Sequence, residues 1–331
     1  MSWSGNTDLT GVSRLGSKVG VANDARNLFL KQFAGEVLTS FEEKNIAMPL
    51  HRTRTISNGK SAQFPSVGTA TAAYQKAGET IYGDSVNHSE VTVTVDDLLV
   101  SSVFVPKIDE AMNHYDVRSI YSSEMGNALA NAADKNIFTT IQQASAATSG
   151  GDLAGYWTGG AGSITVADSD ATTTAGQEVV NAIIAGLEQF DGADVTGEKY
   201  CVLNPATYYA LMGTNSNAID RDFGGNGSIA GGNVPTVGGV KIYMSNHLPA
   251  GTTAETPSPI AAADGGSGRA DYDPAAAVKG LLFTKDAAAT VKLLDLGVES
   301  EYQIERQGTL MVAKYAMGHN VLRGKAAISL V

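Results

Sequence analysis

The segment "AMNHYDVRSIYSSEMGNALA" places His114, Asp116 and Arg118 within five positions, with Glu110 just before it, and these side chains could do acid–base chemistry. Apolar residues recur there at helical spacing, which predicts a helix over 108–141. On a helix, residues three or four apart share a face, so Glu110, His114 and Arg118 align. Asp116 points to nearly the opposite side, which excludes a His–Asp pair within this helix. Such a Glu–His–Arg row is typical of an exposed ladder of weak charge pairs rather than of a catalytic site.

The rest of the sequence contains no complete motif for nucleotide binding, metal binding or covalent catalysis. "GKS" at 59–61 lacks the glycine that a phosphate-binding loop needs five positions earlier, where Arg54 stands. "GNGSIA" at 225–230 fits a dinucleotide-binding pattern, but no apolar strand precedes it and Pro235 stops any helix that follows. The five histidines lack ligand-like spacing, and no nucleophile elbow occurs. The sequence thus predicts no catalytic residue, no cofactor and no metal, and it disfavours an enzyme.

Length, charge and cysteine content narrow the class of protein further. A chain of 331 residues can bury a sizeable core and is expected to form two lobes. Its formal net charge of -11 argues against binding nucleic acid by charge neutralisation. Cys201 is the only cysteine, and "KYCVLNP" around it predicts a buried strand ending at a turn. Since no signal core or membrane span occurs, we expect a soluble protein of a reducing compartment.

The first part of the chain combines a polar leader with an amphipathic helix. Residues 1–22 are rich in Gly, Ser, Thr and Asn, and Asn23 and Asp24 suit the cap of the helix that follows. The apolar stripe of that helix comprises Leu30, Phe33, Ala34, Val37, Leu38 and Phe41. Because so contiguous a stripe is rarely left exposed, we expect a surface outside its own lobe to cover it.

Residues 52–105 show strand patterns. In "RTISNGKSAQF", Asn58-Gly59 separates two extended runs, which predicts a hairpin with a type I′ turn. In "EVTVTVDDLLVSSVFVP", apolar residues alternate up to Val95 and change parity across Asp96-Asp97, which indicates a bulge or turn there. The polar stretch between these runs has little to bury. We therefore predict a long, thin two-stranded excursion, which needs a surface to lie on. The strand ahead of it carries a basic cluster, "HRTR", interpreted as charges flanking a strand.

The rest of the chain alternates helix and strand signals, which predicts an α+β fold. Residues 176–190 have helical spacing, "YCVLN" is typical of a strand, and "PATYYALM" is typical of a short helix with proline in its first turn. "VGGVKIYMSNHLP" predicts a strand pair or a turn and a strand, and strand signals dominate the C-terminal part. Two loops, 144–174 and 251–274, are too long for an ordinary compact enzyme.

Five stretches of the chain are long and unusual enough to compare with known families: "TISNGKSAQFP", "AMNHYDVRSIYSSEMGNALANAADK", "AKYAMGHNVLRGKAA", "GVKIYMSNHLP" and "FTKDAAATVKLLDL". They resemble segments of the major capsid proteins of T-seven-like podoviruses, which are tailed double-stranded DNA phages. They occur in the family's order, and the resemblance covers residues 24–331. The sequence departs from the family at Gly324-Lys325, where relatives usually carry Pro-Glu, and in the two long loops, whose contacts are not carried over.

The resemblance implies the Hong Kong 97 type of phage capsid fold and a division of the chain into parts. These are an N-terminal arm (1–50), an extended β-hairpin loop (51–106), a peripheral domain with a long spine helix (107–150), an axial domain (151–297) and return strands of the peripheral domain (298–331). The candidate assembly residues lie in the arm and the loop: Phe33, Val37, Phe41, Arg54, Asn58, Gly59 and Lys60. The His114 row then belongs to the surface of the spine helix. Lys60 and Lys76 lie in the loop, but nothing in the sequence predicts an isopeptide cross-link.

The resemblance also implies a function and partners. We expect a major capsid protein that self-assembles as hexamers and pentamers into the icosahedral virion shell around double-stranded DNA, built in the bacterial cytoplasm. Implied partners are further copies of the chain, a scaffolding protein before procapsid maturation, a portal protein and accessory or decoration proteins, with no membrane. The DNA would be enclosed without sequence-specific binding, and an acidic lining suits this because it repels phosphates. The alternative is the shell protein of a bacterial nanocompartment with the same fold, which would dock cargo enzymes instead.

Overall fold

A computed structural model of the chain describes residues 45–68, 70, 72–78, 80–81, 83, 85–86, 88–108, 117–147, 161–166, 175–211, 236–251, 272, 274 and 276–331. Three α-helices lie within these residues: α1 (Val117–Ala146), α2 (Ala175–Gly192) and α3 (Pro205–Leu211). The described strands are β1 (Arg52–Thr55), β2 (Ser61–Val67), β3 (His88–Thr94), β4 (Leu99–Pro106), β5 (Ser163–Ile164), β6 (Lys199–Leu203), β7 (Thr236–Val237), β8 (Val240–Met244), β9 (Gly280–Thr284), β10 (Ala288–Gln303), β11 (Gly308–Val321) and β12 (Ala327–Leu330).

The described residues divide into two compact units that each combine distant parts of the sequence. The smaller unit contains Val100–Leu129 and Leu296–Lys314. The larger unit contains Asn45–Leu99, Ala130–Asp295 and Tyr315–Val331. Among the helices that the structure describes, none is long and apolar enough to cross a membrane.

The larger unit is built on a six-stranded sheet in the order β5-β12-β9-β6-β8-β7. β6 runs parallel to β8 and antiparallel to β9, and its apolar sequence "YCVL" is buried, as expected for a strand covered on both faces. Both α2 and the second half of α1 contribute buried side chains to this core: Val179, Ile183, Phe190, Ile137, Phe138 and Ile141. Gly186 lets α2 lie close to the sheet, since a Cβ there would be 2.6 Å from Leu282 Cδ2.

The elements predicted for this unit are confirmed. The helical spacing of 176–190 corresponds to α2, "YCVLN" to β6 and "PATYYALM" to α3. Asn204 Oδ1 accepts the N–H of Thr207 at 2.7 Å, so an asparagine caps α3 immediately before Pro205. The stretch "VGGVKIYM" forms the antiparallel pair β7–β8 around a two-glycine turn.

Strand pairing at the start of the β-rich segment differs from the prediction. β1 pairs in parallel with β10 and lies at the edge of the four-stranded sheet β1-β10-β11-β4. β2 pairs with β3 instead, so Asn58-Gly59 joins strands of two different sheets and the hairpin predicted across it is wrong. Gly59 has a φ of +107° but Asn58 has no positive φ, so the turn is not type I′. The two-stranded excursion predicted over 52–105 is found only in part, as the β2–β3 pair, because β1 and β4 belong to the four-stranded sheet.

The predicted break at Asp96-Asp97 is confirmed. β3 ends at Thr94 and β4 begins at Leu99, and the two strands belong to different sheets. The change of parity in the sequence therefore marks the point at which the chain leaves the two-stranded hairpin and joins the four-stranded sheet.

The long helix is confirmed from Val117 onward, and it continues to Ala146, beyond the predicted end at 141. The extra turn forms because Ala144 and Ser145 are buried, and Ser145 Oγ bonds back to the Gln142 carbonyl at 2.7 Å. His114 and Asp116 lie outside the described residues, as do the N-terminal amphipathic helix and the "GNGSIA" stretch.

The last strand lies in the interior of the six-stranded sheet. β12 pairs antiparallel with β9 and parallel with β5, inside the six-stranded sheet. All four of its residues are buried, which suits an interior strand covered on both faces.

Candidate assembly interface

The β2–β3 hairpin is anchored to the larger unit at one end. Its strands pair antiparallel along seven residues each. One face of the pair is buried in a small apolar cluster, whose members are Ala62, Val93, Ala289, Val291 and Leu322. The opposite face of β2 is largely exposed. The root of the hairpin is therefore packed against the larger unit.

The connection between β2 and β3 presents apolar side chains to water. In the described part of this connection, Tyr74 has a relative exposure of 108% and Ile81 of 77%. Val67, at the end of β2, is 51% exposed. Burying side chains of this size against a partner contributes about 1.5–3 kcal/mol each. This end of the hairpin, which we name the hairpin tip (the described residues of 67–86), is suited to contact another protein surface.

Two of the predicted assembly residues, Arg54 and Lys60, stabilise the root of the hairpin. Arg54 Nη1 donates to the Gln63 carbonyl at 3.0 Å, and its guanidinium lies 5.8 Å from the centre of the Phe64 ring. The carbonyl of Lys60 accepts the Val95 N–H at 2.8 Å, which closes the base of the β2–β3 pair. These contacts are within one chain, so both residues position the hairpin.

The other predicted assembly residues are not brought to this root. Asn58 and Gly59 are exposed in the turn between β1 and β2. Phe33, Val37 and Phe41 lie outside the described residues. The assembly role of all seven residues stays a prediction, and of these residues the structure shows contacts with the hairpin root for Arg54 and Lys60.

Contacts with β11 fix the base of the hairpin from the other side. Asn320 Nδ2 donates to the Thr92 carbonyl at 3.0 Å, and the Asp96 N–H donates to a β11 carbonyl at 3.1 Å. Gly318 lies between these contacts, and a Cβ there would be 1.9 Å from the Thr94 carbonyl oxygen. Only glycine allows the two backbones to approach so closely. Sequence reasoning did not single out Gly318, although "AMGHNVLRG" contains it.

Two buried histidines meet at one threonine in the larger unit. Thr290 Oγ1 lies 2.5 Å from His51 Nε2 and 2.7 Å from His319 Nδ1. Burial lowers the pKa of His51 to about 4. Burial, together with the nearby His51, lowers the pKa of His319 to about 3, so both rings are neutral near pH 7. The interpretation of His51 as a charge flanking a strand is therefore wrong, while Arg52 and Arg54 beside it are indeed exposed.

A buried carboxylate holds the chain just ahead of β1. Asp134 of α1 has a fully buried side chain, and its two oxygens accept the N–H groups of Ile46 and Ala47, each at 3.0 Å. His247 Nδ1 lies 3.4 Å from the same carboxylate. Asp134 therefore satisfies two backbone donors and fixes the point at which the N-terminal residues join the larger unit.

These clusters do not have the composition of a catalytic or metal site. Within the ranges that the structure describes, no group of three His, Cys, Asp or Glu residues could hold a metal ion. Cys201 is buried, and burial raises the pKa of its thiol to about 12, which makes it a poor nucleophile. The main features of this region are an exposed, apolar hairpin tip and a root that is anchored within its own chain.

Comparison with known proteins identifies the family of this chain. The family described as Gp10A-like major capsid protein matches residues 63–331. This chain belongs to that family of phage major capsid proteins. The major capsid protein of Escherichia phage T7 is 32% identical to it over 352 aligned residues, which cover 98% of each protein. These relatives are structural proteins, so the chain is a capsid protein and not an enzyme, and the predicted resemblance is confirmed.

Solved capsids confirm the predicted Hong Kong 97 type of α+β fold. The structure titled capsid structure of the cyanophage P-SCSP1u has a TM-score of 0.71 and 39% identity, with 96% of this chain and 97% of that chain covered. The mature capsid of bacteriophage PhiM1 has a TM-score of 0.70 at 19% identity, with 86% of each chain covered. This capsid protein therefore forms a virion shell by assembling with copies of itself. The match to phage capsid proteins supports this function over the nanocompartment alternative.

Proposed function

We propose that this capsid protein assembles as hexamers and pentamers into an icosahedral shell around double-stranded DNA, and that its hairpin tip lies over a neighbouring copy. The observation that carries the proposal is the exposure of Tyr74 and Ile81 beyond an anchored hairpin root. An anchored root gives the tip a direction set by its own subunit. A head-to-tail contact of this kind closes into rings when the rotation between copies is right.

In this proposal the parts of the chain keep the roles that the family resemblance implies. Residues 1–50 form the arm, 107–150 the spine helix region and 151–297 the axial domain. The extended loop lies within 51–106, and its projecting part is the β2–β3 hairpin. Residues 298–331 form return strands of the peripheral domain.

The proposed contacts of the arm follow from its apolar stripe. Phe33, Val37 and Phe41 repeat at helical spacing, and we assign them to a surface of another subunit or to the shell floor. Arg54 and Lys60 act differently, by holding the root of the hairpin. Asn58 and Gly59 set the path of the turn between β1 and β2.

The proposed partners besides further copies are DNA, a scaffolding protein, a portal protein and accessory proteins. A net charge of -11 supports enclosure of DNA without tight binding, because an acidic lining repels phosphates. Assembly would take place in the cytoplasm of the bacterial host around the scaffolding protein, and the portal would occupy one vertex.

The proposal is tested by changing the hairpin tip without touching its root. Tyr74→Asp places a charge where an apolar contact is proposed, and Tyr74→Phe keeps the ring as the matched control. Each variant is expressed with its scaffolding protein, and particles are counted by sedimentation and electron microscopy. Because one buried aromatic ring contributes about 1.5–3 kcal/mol, we expect Tyr74→Asp to lower the yield of closed shells at least about tenfold.

The unassembled variants serve as the internal check. Tyr74 is fully exposed in the subunit, so both variants should unfold in urea at the wild-type midpoint. Wild-type particle yields from Tyr74→Asp would overturn the assignment of the hairpin tip to a contact between subunits.

A further inference from the structure

A chain of buried hydrogen bonds crosses the larger unit, and its first half begins beside α1. The Asp134 carboxylate accepts the Ala47 N–H at 3.0 Å. On the other side of the same peptide segment, His51 Nδ1 bonds to the Ala47 carbonyl at 2.8 Å. His51 Nε2 then meets Thr290 Oγ1 of β10 at 2.5 Å. Ala47 is thus held from both sides at the point where the N-terminal residues join this unit.

The second half of the chain leads from Thr290 to the hairpin root. His319 Nδ1 of β11 lies 2.7 Å from Thr290 Oγ1, and its backbone N–H donates to the Tyr272 hydroxyl at 3.1 Å. The Tyr272 hydroxyl donates in turn to Asp96, immediately after β3. Thr290, His319 and Tyr272 are at most 3% exposed. We name this set the buried relay: Ala47, His51, Thr290, His319, Tyr272 and Asp96.

The protons of the buried relay have one consistent arrangement. A carbonyl only accepts, so the proton of His51 sits on Nδ1, facing Ala47. Because burial lowers the pKa of His51 to about 4, its Nε2 is unprotonated and accepts from the Thr290 hydroxyl. Thr290 Oγ1 then accepts from the Nδ1–H of His319. One hydroxyl therefore serves both histidines, and its removal leaves two buried ring nitrogens without their partner.

We propose that the buried relay fixes the hairpin root relative to Ala47, near the point from which the N-terminal arm leaves the larger unit, so that these two attachment points keep one relative position. Thr290 and Tyr272 are the positioning residues, since each bridges segments that are far apart in sequence. A fully satisfied buried network specifies one arrangement, because every alternative leaves a polar group unpaired in the interior. The inference rests on the proposed function, which gives the hairpin and the arm their roles in the shell.

The relay is tested by removing the central hydroxyl and reading both ends. Thr290→Val replaces the hydroxyl with a methyl group of similar size, and Thr290→Ser keeps the hydroxyl as the matched control. Hydrogen exchange is measured on the full, unassembled chain at two amides. The Ala47 N–H reports the arm end, and the Asp96 N–H, which donates to Met317 at 3.1 Å, reports the hairpin end. We expect Thr290→Val to speed exchange about tenfold at both amides and Thr290→Ser about twofold or less.

A purely local role for Thr290 gives a different pattern. If Thr290→Val speeds exchange at neither amide, or at only one of them, the coupling is refuted. If that variant does not fold, Tyr272→Phe takes its place, because it cuts the relay at the hairpin end while keeping the ring. Faster exchange at the Ala47 amide in Tyr272→Phe then supports the relay, and an unchanged rate there overturns it.

The exchange rates and the particle yields separate this inference from the proposed function. Wild-type yields from Tyr74→Asp would contradict the role of the hairpin tip, whereas the exchange experiment tests the relay in the unassembled subunit. Thr290→Val could speed exchange at both the Ala47 and the Asp96 amides and still yield normal shells. The relay would then connect the two attachment points, but assembly would not need their fixed relative position, and the proposed role in the shell would be wrong.

Discussion

Lowering the pH from about 7.5 to about 5 should lower the free energy of unfolding of the unassembled subunit, because His51 and His319 stay neutral inside the fold. Burial lowers the pKa of His51 from 6.5 to about 4 and that of His319 to about 3. Between those values and 6.5, the unfolded chain binds protons that the folded chain does not. The free energy of unfolding therefore falls as the pH falls through 6.5, and it stops falling only near the folded pKa values.

The loss of unfolding free energy depends on how far the final pH lies below the ordinary histidine pKa of 6.5. Each histidine that is protonated only when unfolded removes about 1.4 kcal/mol per pH unit. About 1.5 units below the ordinary value this gives about 2 kcal/mol for each ring and about 4 kcal/mol for both. The neighbouring charges act in opposite directions on His51, since Asp134 raises its pKa and Lys292 lowers it, and neither overcomes burial.

Urea unfolding of the unassembled protein at the two pH values measures this difference directly. His51→Gln removes one of the titrating rings, so its free energy of unfolding should change by about 2 kcal/mol between the two pH values, half of the wild-type change. Equal wild-type stability at both pH values would show that the two rings are not held neutral in the fold, and a His51→Gln variant that keeps the full wild-type difference would show that His51 is not one of the titrating groups.

Further changes probe the root of the hairpin, the anchor of the arm and the arm itself. Gly318→Ala should lower the free energy of unfolding by about 1–3 kcal/mol, as its Cβ would lie 1.9 Å from a backbone oxygen, while Gly83→Ala, with nothing within 4 Å, should leave the urea midpoint unchanged. Asp134→Asn places an amide donor where a carboxylate oxygen accepts a backbone N–H, and calorimetry should show a loss of about 1–3 kcal/mol. Gly59→Val strains a position with a φ of +107° and should reduce particle yield while the unassembled subunit keeps its native circular dichroism. Deletion of residues 1–44 should leave a cooperatively melting protein that forms no closed shells by electron microscopy, and normal shells would remove the arm from assembly.

Local sequence patterns predicted the elements of this fold well. Strand and helix signals identified β6, α2 and α3, because each combines a run of apolar residues with a nearby capping or turn residue such as Asn204. The parity change at Asp96-Asp97 marked the passage between two sheets. The exposed hairpin was also foreseen, since the residues between its strands had little to bury.

Local sequence patterns do not predict which distant segments pair with each other. Asn58-Gly59 is a strong local hairpin signal, yet β1 finds its partner in β10, more than two hundred residues later, and the local preference is overridden. The meeting of His51 and His319 at Thr290 has no signature in spacing, because three separate strand regions bring these side chains together. Resemblance to a family supplied the function, which the residue types alone left open.

Electron cryomicroscopy of the protein expressed with its scaffolding protein shows directly where the hairpin lies in the assembled shell. We expect closed icosahedral shells in which the β2–β3 hairpin of each copy lies on an adjacent copy, with Tyr74 and Ile81 buried in that contact. Particles that fail to close, or closed shells in which both side chains face solvent, would contradict this expectation.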